Sequence, residues 1–221
     1  MKALCASALL AYNPRVAKLI EVHPRNPQPH RVQKIVERIR DGALIAYPTD
    51  SSYAFGCHIG DKKPIERIHR IRRTDKKHNF TLVCADLSEI SVYARVDNWA
   101  YRLIKSLTPG PYTFILRATA IVPRRLQHPK QKTIGIRVTD NLILEHLLAE
   151  YDQPVMSSTL IMPGNDFPET DAHDIREKLE HQLDLVVDGG HCGVEPTTIV
   201  DLTDSVPRVV RKGRGATDDL E

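Results

Sequence analysis

The sequence contains no stretch approaching the roughly 18 consecutive apolar residues that a membrane-spanning helix needs, so no membrane span is expected. It has only four cysteines, Cys5, Cys57, Cys84 and Cys192, too scattered for a zinc ribbon or a thioredoxin-like pair. Reduced thiols in a cytoplasm follow as the plain reading. A phosphate loop of the Gly-x-x-x-x-Gly-Lys-Ser/Thr type, a Gly-x-Gly-x-x-Gly fingerprint and a Gly-x-Ser-x-Gly elbow are all missing. None of the ten histidines has a second histidine four residues away with an acid between them, so no zinc helix and no metal site are expected. Aromatic residues make up only 5%, which argues against a stacking platform for single-stranded nucleic acid.

What is present suits a globule: 41% apolar and 27% charged residues over 221 positions, enough for one sizeable core. An apolar stretch at 3–12 has the length of a signal-peptide core, but Asn13-Pro14-Arg15 follows it in place of a small-residue cleavage pattern. The expected organisation is an extension outside the fold at 1–15, one domain at 16–215 and a tail at 216–221. A secretory leader is the alternative for the first segment.

The net charge of +3 conceals an uneven distribution. Residues 62–77 carry Lys62, Lys63, Arg67, Arg70, Arg72, Arg73, Lys76 and Lys77 against Glu66 and Asp75, and Arg117, Arg124, Arg125, Lys130 and Lys132 follow in a segment without acids. Arg208, Arg211, Lys212 and Arg214 form a third cluster, while 166–188 is acidic. Each run alone is an ordinary solvated face; three meeting on one surface would attract a polyanion.

Val32, Ile35, Val36 and Ile39 recur at helical spacing ahead of Asp41-Gly42, which predicts a helix over 29–41, with a strand at 43–47 immediately after. Pro64 starts a second helix with the stripe Ile65, Ile68 and Ile71. Asp97 is the expected cap of a helix burying Ala100, Leu103, Ile104 and Leu107, with further helices at 142–151 and, largely exposed, at 171–181. Strands are predicted at 80–84, 112–116, 133–138, 154–158, 185–188, 198–202 and 206–211. The class is α/β, a twisted mixed sheet with helices packed on it and a basic concave groove.

Strand ends in this scheme are rich in hydroxyls and arginines: Tyr47-Pro48-Thr49-Asp50, Pro109-Gly110-Pro111-Tyr112-Thr113, Ile136-Arg137-Val138, Ser157-Ser158-Thr159, Pro196-Thr197-Thr198-Ile199-Val200-Asp201 and Arg211-Lys212-Gly213. Hydroxyls are compact donors and a guanidinium is a planar permanent cation, so both suit phosphate or carboxylate oxygens. Their type does not say which anion.

In their order along the chain, from about Val22 to Gly213, these motifs resemble the YrdC family, whose best-known members are synthases making threonylcarbamoyl-AMP from threonine, bicarbonate and ATP for tRNA modification. The resemblance implies a small-anion or threonine end at Thr49, Arg137 and Ser157. It implies a nucleotide end at Arg72, Thr113, Thr159, Thr198 and Arg211, with ATP or AMP as ligand and magnesium if the site is active. Active synthases in the family are expected to carry Lys-x-Arg and Ser-x-Asn pairs, which fall here on Arg72 and Thr74 and on Thr159 and Ile161. That departure, and the loop Arg72 to Phe80, resemble the YciO branch, for which RNA binding is the usual suggestion. The resulting expectation is a nucleotide- or RNA-binding protein with a degraded synthase site, in which Lys62, Lys63, Arg70, Arg73, Lys76, Lys77, Arg124 and Arg125 contact the phosphates of double-stranded or structured RNA or tRNA. The alternatives are an active carbamoyl-adenylate enzyme, with Lys76 or Lys77 as the replacement cation, and a protein that binds a partner through the acidic helix.

Overall fold

The computed structural model describes residues 16–74 and 79–220. The proposed extension at 1–15 and two of the proposed RNA contacts, Lys76 and Lys77, lie outside them.

Among the described residues, eleven strands and six α-helices alternate. In order they are β1 (Lys18–Glu21), α1 (Pro29–Arg40), β2 (Ile45–Pro48), β3 (Tyr53–His58), α2 (Lys62–Arg72), β4 (Thr81–Val83), α3 (Leu87–Tyr93), β5 (Ala94–Arg95) and α4 (Asn98–Leu107). Then follow β6 (Tyr112–Ala118), β7 (Thr133–Arg137), α5 (Leu142–Tyr151), β8 (Val155–Thr159), α6 (Ala172–Leu179), β9 (Leu185–Asp188), β10 (Thr198–Asp201) and β11 (Arg208–Arg211). The strands form one mixed sheet in the order β1-β9-β2-β3-β8-β4-β7-β6-β10-β11, with β5 beside β6.

Alternation of side chains across the sheet defines two cores. On one face α1 contributes Val32, Ile35, Val36 and Ile39, and α5 contributes Ile143, Leu144 and Leu147, all packed over Ile45, Tyr47, Val83, Val155 and Leu185. On the other face Ile68 of α2, Ile104 of α4 and Ile175 of α6 pack over Phe55, Leu82, Phe114, Ile136, Met156 and Val186. Each such aliphatic or aromatic side chain contributes roughly 1.5–3 kcal/mol by leaving water, and their spacing is what made the helices readable from sequence.

Four elements escaped that reading: β1, β3, α3 and β5. Three details are corrected as well. The Asp97 side chain makes no capping hydrogen bond, so α4 begins without one. The helix expected to be exposed at 171–181 buries Ala172, Ile175 and Leu179. The described part of the tail, 216–220, returns to the molecule, because the short 3-10 turn Asp218–Leu220 places Leu220 in the core at 5% exposure.

Candidate ligand-binding face

No residue of β7, β6, β10 or β11 joins the core beneath α1 and α5. Those two helices therefore cover only half of their face of the sheet; the other half is bare of helices, although Thr113, Thr133 and Arg137 on it are no more than 8% exposed.

Register identifies what the bare half presents, since paired residues point the same way. Ser157 pairs with Thr81, and Thr81 with Gly135. Val83 pairs with Arg137. Thr113, one step before the Phe114–Ile136 pair, is Arg137's neighbour across the β6–β7 ladder. Thr113 pairs with Ile199, and Ile199 with Arg211. Arg137, Thr113, Ile199 and Arg211 thus stand in one row across four strands. With a strand spacing near 4.8 Å, the two arginines are about 14 Å apart at the backbone. That spacing suits the two ends of an extended ligand.

The pairing of β10 with β11 shifts between Ile199 and Val200, which inserts Val210 as an extra residue. Val210 consequently faces the same hollow as Ile115, Ile199 and Thr113. This hollow, about 140 Å³, is below the roughly 300 Å³ at which drug-sized pockets begin, and its floor is Gly135. A side chain at Gly135 would meet Thr81 Oγ1 at 2.8 Å.

At the end expected from the sequence to take a nucleotide, Thr113 Oγ1 lies 3.0 Å from Thr197 Oγ1, and Arg211 donates from Nη2 to the Thr197 carbonyl at 2.8 Å. Burial pushes Arg211 below its usual range. Thr198 is a correction. It is fully buried on the opposite face, in register with Tyr112. Its hydroxyl donates to Gly215 O at 2.6 Å and accepts from Gly213 N at 3.0 Å. Thr198 therefore anchors the chain after β11, and its neighbour Thr197, missed in the sequence, is the threonine beside Arg211.

At the other end, burial pushes the Tyr47 phenol up to about 12. It stays protonated and donates to Ser157 Oγ at 2.7 Å, which leaves the serine proton to be donated elsewhere. Thr49 is consumed by its own loop: its hydroxyl accepts from Ser51 N and Ser52 N and donates to Ser52 O at 2.7 Å. Arg137 is buried against Asp50, and burial lowers it to about 10, well above neutrality, so it remains charged. Thr159 sits half-buried at the end of β8, on the side of Ser157.

The basic runs do not all meet here. Ser158 pairs with Phe55 and so faces the α2 side, and Arg72 Nη1 donates to Ser158 Oγ at 2.7 Å. Lys62, Lys63, Arg70 and Arg73 are exposed on or next to α2, whose isoleucines pack on that same side. The α2 lysines thus lie across the sheet from the bare half, because the stripe Ile65, Ile68 and Ile71 fixes which face the helix covers. Arg125 donates to the Gly60 carbonyl just ahead of α2, whereas Arg124 lines a separate hollow with Arg95, Thr119 and Lys132. Among the described residues no group of histidines, cysteines or acids is arranged to hold a metal, and no helix is long and apolar enough to cross a membrane.

A mixed sheet with helices on both faces, lined with hydroxyls and guanidiniums on the half that no helix of the α1–α5 core covers, defines a mixed α/β domain. The Sua5/YciO/YrdC model, described as telomere recombination, matches residues 37–213, and the chain belongs to that family. It is 51% identical to Escherichia coli YciO over 200 residues, covering 90% of this chain and 97% of that one. A Haemophilus influenzae protein is likewise 51% identical over 203 residues, 91% and 98% of the two chains. The crystal structure of E. coli YciO superimposes with a TM-score of 0.90 at 50% identity, covering 93% of this chain and all of that one. More distant is Pyrococcus abyssi Sua5 complexed with L-threonine, with a TM-score of 0.81 at 25% identity over 88% of this chain and 57% of that one.

Proposed function

We propose that this protein binds an adenine nucleotide across the bare half of the sheet, with RNA phosphates taken up separately by α2, and that its synthase chemistry is largely lost. The carrying observation is the row of Arg137, Thr113, Ile199 and Arg211 on the half of the face that no helix covers. The base lies in the hollow of Ile115, Ile199 and Val210, the phosphates reach Thr113, Thr197 and Arg211, and a small carboxylate reaches Arg137 and Ser157. The likeness to a Sua5 solved with L-threonine supports a small carboxylate as one ligand. Magnesium at this face would be held by the phosphates it accompanies.

Calorimetric titration with AMP tests the first part. Removing one charge-assisted hydrogen bond costs about 1.5–3 kcal/mol, so Arg211→Ala is expected to weaken AMP binding by about tenfold or more; an unchanged affinity would sink the assignment.

For RNA the favouring observation is the Arg125–Gly60 contact, which joins two basic runs into one surface. Lys62 is partly spent on Glu66 at 3.5 Å, a pair too exposed to hold it. Binding to a duplex is expected to fall by about 0.9 log unit per log unit of salt for each phosphate neutralised. The double variant Lys63→Ala, Arg70→Ala should then flatten the slope by about 1.8 without changing AMP affinity. A slope that stays put rules this surface out.

A further inference from the structure

The Asp50 carboxylate and the Arg137 side chain are 9% and 10% exposed. Arg137 Nη2 donates to Asp50 Oδ1 and, at 3.2 Å, to Ser51 Oγ; Thr139 Oγ1 donates to the same Oδ1 at 2.8 Å. The pairing is one-pronged. Asp50 Oδ2 and Arg137 Nε are both buried with no hydrogen-bond partner.

An arginine normally takes a carboxylate with two parallel N–H donors, and Nε with Nη2 is one such fork. Asp50 cannot complete it because its backbone is held on both sides. The loop from Thr49 to Ser52 is closed by the Thr49 hydroxyl and by Thr49 N bonding to Ser52 O at 3.1 Å. The Asp50 carbonyl accepts from Arg214, whose own N–H is fixed to Pro196 O at 2.9 Å. An untethered oxyanion has no such restraint. It can reach Nε and Nη2 together and satisfy the nitrogen that Asp50 leaves dry.

We propose that Asp50 is a built-in stand-in for the ligand's oxyanion: it occupies Arg137 in the empty protein, and a ligand carboxylate displaces it by making the two-pronged contact. Asp50 thereby sets the affinity and the selectivity of this end of the site. A singly bonded or weakly basic anion gains too little to displace it, whereas a planar carboxylate gains the second prong. The inference rests on the proposed assignment of Arg137 to a small carboxylate, with the nucleotide at Arg211.

The test is calorimetry of the full chain with two probes, L-threonine for the carboxylate end and AMP for the other. Asp50→Asn removes the competing charge and keeps the shape, and is expected to tighten L-threonine at least threefold with AMP unchanged. Thr139→Val removes the hydroxyl holding Oδ1 and is expected to shift L-threonine the same way by a smaller factor, a check that survives if the asparagine variant folds poorly. Weaker L-threonine binding in both variants would make Asp50 part of the ligand's own contact set and overturn the proposal, as would unchanged binding. Absence of L-threonine binding with AMP binding intact would also overturn it while leaving the nucleotide assignment standing. Loss of AMP binding in the unaltered protein would instead remove the functional reading beneath it.

Discussion

Mixed with ATP, L-threonine and bicarbonate, this protein is expected to release pyrophosphate at least 10²-fold more slowly than the P. abyssi synthase assayed beside it. Two positions account for this. Thr74 stands where an active relative is expected to carry a cation, and its hydroxyl is bonded to His69 Nδ1 at 3.0 Å. Ile161 stands where an amide is expected and has no polar atom to offer. Losing a single donor to developing transition-state charge costs about 10² to 10³ in rate. The losses do not simply multiply within one site, so the lower figure is the bound. Arg72 does not compensate from its position, because its Nη1 is directed to Ser158 on the α2 side. Thr74→Arg combined with Ile161→Asn should raise the rate and leave AMP affinity nearly unchanged. A parent rate equal to the relative's would remove the degraded-site reading altogether.

Gly213→Ala is expected to be the most damaging single methyl group in the C-terminal third. A Cβ at this position would lie 2.2 Å from the Pro196 carbonyl oxygen and 2.6 Å from the Thr197 carbonyl, both backbone atoms that cannot rotate away. Forcing the strands apart costs about 3 kcal/mol at the upper end of the usual range for overpacking. In a chain of this size that lowers the melting temperature by roughly 6–12 °C. The separation would also pull Thr197 off Arg211 and release the Thr198 hydroxyl from Gly213 N. Thermal unfolding and AMP titration should therefore fail together. A melting temperature within about 2 °C of the parent would show that the close approach is relieved locally.

The elements legible in the sequence were those whose burial is one-sided. Helix α1 shows its apolar stripe at Val32, Ile35, Val36 and Ile39 because its other side meets water, and the same holds for Ile65, Ile68 and Ile71 of α2. Strand β3 hides because Tyr53 to Cys57 are buried on both faces, with Gly56 under the Tyr47 ring, so no alternation survives. Helix α3 is too short for a stripe. Its signal was the cap, Asp86 accepting from Ser88 N and Glu89 N while Glu89 reaches back to Ala85 N at 2.7 Å. In the site, the residue types were readable and their facing was not. Thr197 and Thr198 are adjacent and chemically alike, and only the register of β10 against β6 decides which one meets Arg211. For the same reason the α2 charges looked continuous with Arg211, although the sheet stands between them.

The strand order has a kinetic consequence. The first half of the sheet is zipped by a late strand: β9, at residues 185–188, lies between β1 and β2 and pairs with both. During synthesis β1 and β2 must wait for more than three quarters of the chain to emerge before either finds its partner in β9. Ladders that join residues so distant in sequence pay their loop-closure entropy in advance and form slowly. A ribosome-bound chain short of β9 would therefore present unpaired, apolar strand edges of the kind that chaperones cover.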